Sequence, residues 1–298
     1  MRGMVIIMEI GVSSYSFSAL VQNGEMSQLD VISKAKEMGF DTIEFATISV
    51  PEGQTLLNYA AIIKAECERV GISIGNYTIW ADFLNGSKGD WKEEVERVKN
   101  EVKVAKILGS PGMRHDVTWG FSNEYSATKG YDDALPILIK ACRSVTEFAE
   151  DLGIKTMTEN HGFFSQDSQR VEKLINGVNH SNFGVLIDIG NFLCVDESPE
   201  IAVGRLMPYA FHIHAKDFHF KSGESSDPGE GWFQTRGGNY LRGAILGHGN
   251  VPVTQCLKVM KRSNYAGILS IEFEGMEDPL KGISIGLKNL KRYVADVF

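Results

Sequence analysis

The chain has 298 residues, 43% hydrophobic and 10% aromatic, enough to bury about three quarters of its unfolded surface in one core. Asp and Glu (38) outnumber Lys and Arg (30), a net charge of −8 with no basic stripe, so no nucleic-acid partner is expected. The opening MRGMVIIMEI has too short an apolar run for a signal peptide or membrane span, and Cys67, Cys142, Cys194 and Cys256 form no CxxC pair, so a cytoplasmic protein with reduced, buried thiols is expected, with no membrane partner.

After a lead-in at the N-terminus, eight β-rich runs alternate with longer amphipathic stretches. The first run is EIGVSSYSF (9–17), followed by a helical pattern at 27–39 and then TIEFA (42–46) and ISIGNYTI (72–79). A second long helical pattern at 91–109 leads to PGMRHDV (111–117), and IKTMTENH (154–161), FGVLIDIGN (183–191), AFHIHAKDF (210–218) and GILSIEFEG (267–275) complete the set. Gly39, Gly71, Gly109 and Gly153 stand where helices end. Eight strand–helix units with no linker predict an α/β fold, a single-domain (β/α)₈ TIM barrel over 1–298. No GxGxxG follows the first strand, so a dinucleotide site has no support. Residues 219–252 carry eight glycines and little periodicity, which predicts a long loop at the active-site face.

Buried parallel strands should be apolar on both faces. The last four runs break that rule near their C-terminal ends, at Glu159, Asp188, His212 and His214, and Glu272 and Glu274. Alternation puts Val185, Ile187 and Ile189 on the helix-facing side of the sixth run, and Ile213 and Ala215 on that of the seventh. It leaves Asp188, His212, His214, Lys216, Glu272 and Glu274 pointing inward. One such residue is ordinarily a satisfied core group, but three crowded carboxylates need a compensating cation. An oxygen-rich set with one imidazole favours Mn²⁺ or Mg²⁺, with Co²⁺ also suited. Such an ion would polarise the carbonyl of an α-hydroxy carbonyl compound and stabilise an enediolate as the α-proton leaves.

Glu159-Asn160-His161-Gly162, IDIGN, HIHAKD, Gly-x-Gly at 247–249 and YAGILSIEFEG occur in this order. Together they resemble the xylose-isomerase-like TIM-barrel superfamily of sugar (phosphate) isomerases and epimerases over nearly the whole chain. The resemblance implies that Glu159, Asp188, His214 and Glu272 hold the metal and that Glu159 and Glu272 exchange the proton. The 26-residue step from Asp188 to His214 is similar to that of ketose 3-epimerases and selects His214 over His212. It also implies a small carbohydrate as partner and, commonly, a homo-oligomer. Three positions depart from the ketose 3-epimerase pattern: Asn191 stands for a substrate-binding His, Phe220 for an Arg, and His248 for the Glu of a Gly-Glu-Gly.

The alternative function is therefore a metal-dependent lyase or dehydratase acting on a keto-inositol or 3-keto-glycoside, with His248 as its acid/base or else a plain loop residue. An apurinic endonuclease and a non-catalytic sugar-binding barrel are the remaining readings; the acidic balance argues against the first. His161 and Asn191 are assigned to substrate binding. Arg114 is either a substrate contact or a rim salt bridge, and Lys216 either stabilises an oxyanion or pairs with Glu274. Trp80, Trp119, Trp232 and the Tyr15/Phe17 pair are candidates for walls of a sugar pocket.

Overall fold

The computed structural model describes residues 8–122 and 127–298; the lead-in at 1–7 lies outside them. Seven barrel strands come first: β1 (Ile10–Ser13), β2 (Thr42–Ala46), β3 (Ser73–Ile79), β4 (Gly112–His115), β5 (Lys155–Glu159), β6 (Phe183–Asp188) and β7 (Ala210–Ala215). Three short strands follow, β8 (Asp217–Lys221), β9 (Phe233–Gln234) and β10 (Tyr240–Ala244), before the last barrel strand, β11 (Leu269–Ile271). The helices are α1 (Ser18–Gln22), α2 (Gln28–Met38), α3 (Leu56–Val70), α4 (Trp91–Leu108), α5 (Tyr131–Asp151), α6 (Ser168–Val178), α7 (Pro199–Leu206), α8 (Val253–Arg262) and α9 (Pro279–Val297). The eight barrel strands close in the order β1-β11-β7-β6-β5-β4-β3-β2, every pairing parallel. The chain folds as the expected single-domain TIM barrel.

Local chemistry sets the element ends. Ser27 and Asp30 form a capping box at the start of α2, and the Asp90 carboxylate accepts from the backbone of Lys92 and Glu93 at the start of α4. Gly39, Gly71 and Gly109 cap their helices in the left-handed conformation. Gly153 lies one residue beyond the expected position, because Leu152 caps α5. Val185, Ile187, Ile213 and Ile271 belong to the main hydrophobic cluster, as their parity required. The four cysteines are free and buried, and among the described residues no helix is long and apolar enough to cross a membrane.

The segment after β7 is not the structureless loop its glycines suggest. It folds into a three-stranded antiparallel sheet in the order β8-β10-β9. The Asp196 carboxylate fastens its far turn, accepting from Thr235 Oγ1 (2.7 Å) and Asn239 Nδ2 (2.8 Å), and Arg236 reaches Asp167 at 3.2 Å.

Candidate metal centre

Each implied ligand sits at or near the end of its strand, held by a scaffold of its own. Asn160 clamps β6 by donating to the Asp188 carbonyl and accepting from the Asp188 N–H, both at 2.8 Å. Asp188 Oδ1 then accepts from the N–H groups of Gly190 (2.8 Å) and Asn191 (3.0 Å), so Oδ2 is the oxygen left to face the axis. The ladder places Asp188 opposite His214, and His214 opposite Ser270 on β11. Glu272 lies just past β11, held there as its own N–H donates to Ala215 (3.3 Å) and that of Phe273 to Ser16 Oγ (2.9 Å). Glu159 Oε1 accepts from Asn191 Nδ2 at 3.1 Å, and its Oε2 lies 2.6 Å from Arg114 Nη2.

One ligand atom from each of Glu159, Asp188, His214 and Glu272 lies within 4.8 Å of all the others. Atoms so spaced can share an ion with bonds of about 2.1–2.4 Å after small adjustments. His214 Nε2 is 2.9 Å from Glu44 Oε1, and Glu44 is completely buried. Burial alone would raise the Glu44 pKa, but His214, His212 and the Asn76 amide bring it down to about 2, so Glu44 is an ionised acceptor. Nε2 of His214 therefore donates to Glu44. Burial opposes a second proton on the ring, yet Glu44 and Glu272 hold the His214 pKa well above the ordinary value, so a cation at Nδ1 displaces that proton from His214. Its Nδ1 faces Glu272 (3.6 Å), Glu159 (4.0 Å) and Asp188 (4.0 Å) with no hydrogen-bond partner. Asp188 Oδ2 is also unpartnered as a hydrogen-bond acceptor, although Lys216 Nζ lies 3.1 Å away. An orphaned imidazole nitrogen and an oxygen paired only with an ammonium, converging with two more carboxylates, fit a divalent cation.

Lys216 is the cation already present. Its Nζ lies 2.6 Å from Glu272, 3.1 Å from Asp188 and 3.2 Å from Glu274, and Asn191 Oδ1 accepts from it at 3.3 Å. Burial opposes its charge, yet Asp188, Glu272 and Glu274 hold its pKa well above the ordinary lysine value. The two implied proton carriers are pushed in opposite directions. Burial, only partly offset by Arg114 and His214, raises Glu159. Burial would raise Glu272 as well, but Lys216 and His214 take it well below the usual carboxylate range.

Above these ligands opens a cavity of about 330 Å³, lined by charged and polar groups that include Arg114, Glu159, His161, Lys216, Glu272 and Glu274. His161 presents its ring there, with Nδ1 2.9 Å from Asp116 Oδ1 and Trp119 edge-on at 5.1 Å. Arg114 is buried between Asp116 (2.8 Å) and Glu159 (2.6 Å), deeper than a rim salt bridge. Asn191 is buried behind the cavity, positioned to orient Glu159 and Lys216. Tyr15, Trp80 and Trp119 line the cavity, whereas Phe17 is core and Trp232 lies against Lys221 and Arg242 of the added sheet.

His248 is not brought to this cavity. It is exposed on a turn whose Gly247, Gly249 and Val251 N–H groups donate to the Asp217 carboxylate at 2.8–3.0 Å. A Cβ at position 249 would meet Asp217 Oδ1 at 2.2 Å, so this Gly-x-Gly makes room for Asp217. Sequence reasoning missed Glu44, Asn76 and Asp116. Glu44 was detectable, as the one charged residue within the apolar run TIEFA. It is also the carboxylate near His212, whose Nε2 lies 3.4 Å from Glu44 and 2.9 Å from Ser270 Oγ.

Residues 32–293 match the family model described as xylose isomerase-like TIM barrel. The chain belongs to that family. Among curated proteins, the uncharacterised protein MJ1311 of Methanocaldococcus jannaschii is 25% identical over 161 residues, half of this chain and 46% of that one, so the match spans less than half of the relative's length. Family resemblance extends to solved structures at the level of fold. The xylose isomerase domain protein of Planctomyces limnophilus superposes with a TM-score of 0.74 at 18% identity, covering 97% of this chain and 98% of that one. The 3-keto-D-glucoside 4-epimerase of E. coli gives 0.70 at 14% identity, covering 96% and 100%. The probable 3-DHS dehydratase of Bacillus anthracis gives 0.69 at 16%, covering 95% and 99%.

Proposed function

We propose that the protein is a divalent-metal-dependent isomerase or epimerase of a sugar or sugar-like polyol, working by removal of a proton alpha to a carbonyl. The observation that carries this is the convergence of Glu159, Asp188, His214 and Glu272, with His214 Nδ1 left without a hydrogen-bond partner and Asp188 Oδ2 paired only with the Lys216 ammonium. Mn²⁺, Mg²⁺ or Co²⁺ suits this donor set and, when bound, supplies Lewis-acid polarisation of the substrate carbonyl. Glu272, kept ionised by Lys216 and His214, accepts the α-proton. Glu159, whose pKa burial raises, is the group suited to hold a proton and return it to the carbon. Asn191 fixes the Glu159 carboxylate, and the Lys216 ammonium favours negative charge developing on substrate oxygen. Tyr15, Trp80 and Trp119 offer ring faces to a sugar.

The test is solvent-deuterium incorporation at the α-carbon across a panel of ketoses and keto-polyols, with metal content measured in parallel. Glu159→Gln is expected to abolish incorporation; unchanged incorporation together with unchanged metal content would refute the proposal. An elimination on a keto-inositol or 3-keto-glycoside is the second reading, favoured by the imidazole that does reach the cavity, His161, oriented by Asp116 as a general acid is. Loss of water or aglycone from the substrate would select it, because epimerisation conserves mass.

A further inference from the structure

The catalytic cavity has a neighbour. A second cavity of about 220 Å³ is lined by Ser14, Ser18, Val21, Gln28 and Val31, and shares Tyr15, Ala46 and Thr47 with the first. We propose that this second cavity is a subsite for an apolar aglycone, so that the substrate is a keto-glycoside, with its carbonyl on the sugar ring and an apolar substituent, and not a free monosaccharide. The proposal rests on the carbohydrate reading above and adds the substrate class to it.

The wall chemistry sets the kind of occupant. Val21, Val31, Ala46 and the half-exposed Tyr15 ring supply apolar surface. The buried polar side chains there are engaged with backbone. Gln28 Nε2 donates to the Thr47 carbonyl (3.4 Å), its Oε1 accepts from the Ser49 N–H (3.2 Å), and Ser14 Oγ accepts from the Ala46 N–H (2.9 Å). The remaining polar groups, Ser18, Gln22, Thr47 and Ser49, stand at the more exposed edge and stay open to water, so an apolar ring set against Val21, Val31 and Ala46 gains buried area without stripping a buried polar group of its partner. The catalytic cavity is the opposite: Arg114, Glu159, His161, Lys216, Glu272 and Glu274 crowd its lining, and at about 330 Å³ it stands at the lower end of the ~300–1,000 Å³ usual for small-molecule sites. It has room for one sugar, and the adjoining space is what a monosaccharide leaves unused.

The second cavity is also preformed. Thr47, on the wall common to both, has φ 52, in the left-handed region that a β-branched residue rarely enters. Such a conformation costs on the order of 1–3 kcal/mol and persists only where the surroundings impose it. Here the Gln28 amide bonds the backbone at both Thr47 and Ser49, and the Thr47 N–H donates to the Thr78 carbonyl at 3.3 Å. Tyr15 lines both spaces and leaves its ring available to an aromatic group.

The experiment is calorimetric titration of the Mn²⁺-loaded protein with a panel of methyl glycosides and the matching phenyl glycosides. A phenyl glycoside is expected to bind at least tenfold more tightly than its methyl counterpart. Val21→Trp, which fills the second cavity, is expected to erase that gain while leaving the methyl glycoside within twofold of its original affinity. Ser18→Phe, on another wall, repeats the test should Val21→Trp fold poorly. Equal affinity for phenyl and methyl forms, a phenyl gain that survives both variants, or no phenyl glycoside bound at all would overturn the proposal. Deuterium incorporation into keto-glycosides, run beside it, separates the two readings. Incorporation without a phenyl gain removes the subsite alone, and a variant-sensitive phenyl gain without incorporation removes the isomerase reading alone.

Discussion

Glu44→Gln is the most informative single perturbation of the metal centre. The substitution keeps the size of the side chain and removes the charge that makes His214 Nε2 carry the hydrogen. With a neutral amide at position 44, nothing excludes the other tautomer, in which Nδ1 is protonated and cannot bind a cation. The neighbourhood can absorb part of the change: Asn76 now donates Nδ2 to Glu44 Oε2 at 3.0 Å while its own buried Oδ1 has no partner, so a flip of the Asn76 amide presents an acceptor to the new NH₂ group. The flip leaves the Asn76 NH₂ where its unpartnered oxygen stood, so stability is expected to fall by about 1–3 kcal/mol. Metal affinity is not spared. Removing the outer partner of a ligating histidine typically lowers affinity by about 10–100-fold, or about 1.4–2.7 kcal/mol. The assay is competition for Mn²⁺ against a fluorescent chelator, with the ¹⁵N shifts of His214 reporting the tautomer. Affinity within twofold of the wild type, with unchanged His214 shifts, would refute the reasoning.

Other outcomes follow from the same geometry. Lys216→Met leaves Asp188, Glu272 and Glu274 without their ammonium, so the metal-free protein should lose about 3–5 kcal/mol and regain more of its melting temperature on adding Mn²⁺ than the wild type does; equal melting curves in chelator would contradict this. Asp217→Ala unpins the Gly247–Val251 turn, and losing N–H bonds to a buried carboxylate should cost about 3 kcal/mol by chemical denaturation with little effect on metal affinity. Burial lowers the His115 pKa to about 4, so the unfolded chain takes up a proton near pH 6.5 that the folded one refuses. Stability should fall as pH drops from 6.5 towards 4, and His115→Leu should flatten that slope by up to about 1.4 kcal/mol per pH unit; an unaltered slope would show that His115 is not the group responsible.

The barrel was legible because its eight β-rich runs are short and apolar and the stretches between them carry capping and terminating residues, as Ser27 and Gly39 do around α2. The cluster of Glu159, Asp188, His214 and Glu272 was legible for a different reason. A buried parallel strand has no place for Asp188 or His214 unless something compensates them, so a violation of the apolar pattern marks the site. Glu44 violates the pattern equally, but its partners His214 and Asn76 lie 170 and 32 residues away, and nothing local to β2 announces them. The Asn160–Asp188 clamp is hidden for the same reason, being a pairing across the β5–β6 edge. The added sheet escaped notice because β9 has only two residues and the glycines around it break any alternation. His248 drew attention through its flanking glycines, which serve the docking of Asp217.

The central claim is that Glu159, Asp188, His214 and Glu272 hold one divalent ion. Elemental analysis of protein dialysed against Mn²⁺, beside Asp188→Asn and Lys216→Met, tests it most directly. One ion per chain is expected in the wild type and in Lys216→Met, and a large loss in Asp188→Asn. A wild type that retains no ion, with Lys216 alone neutralising the carboxylates, would contradict it.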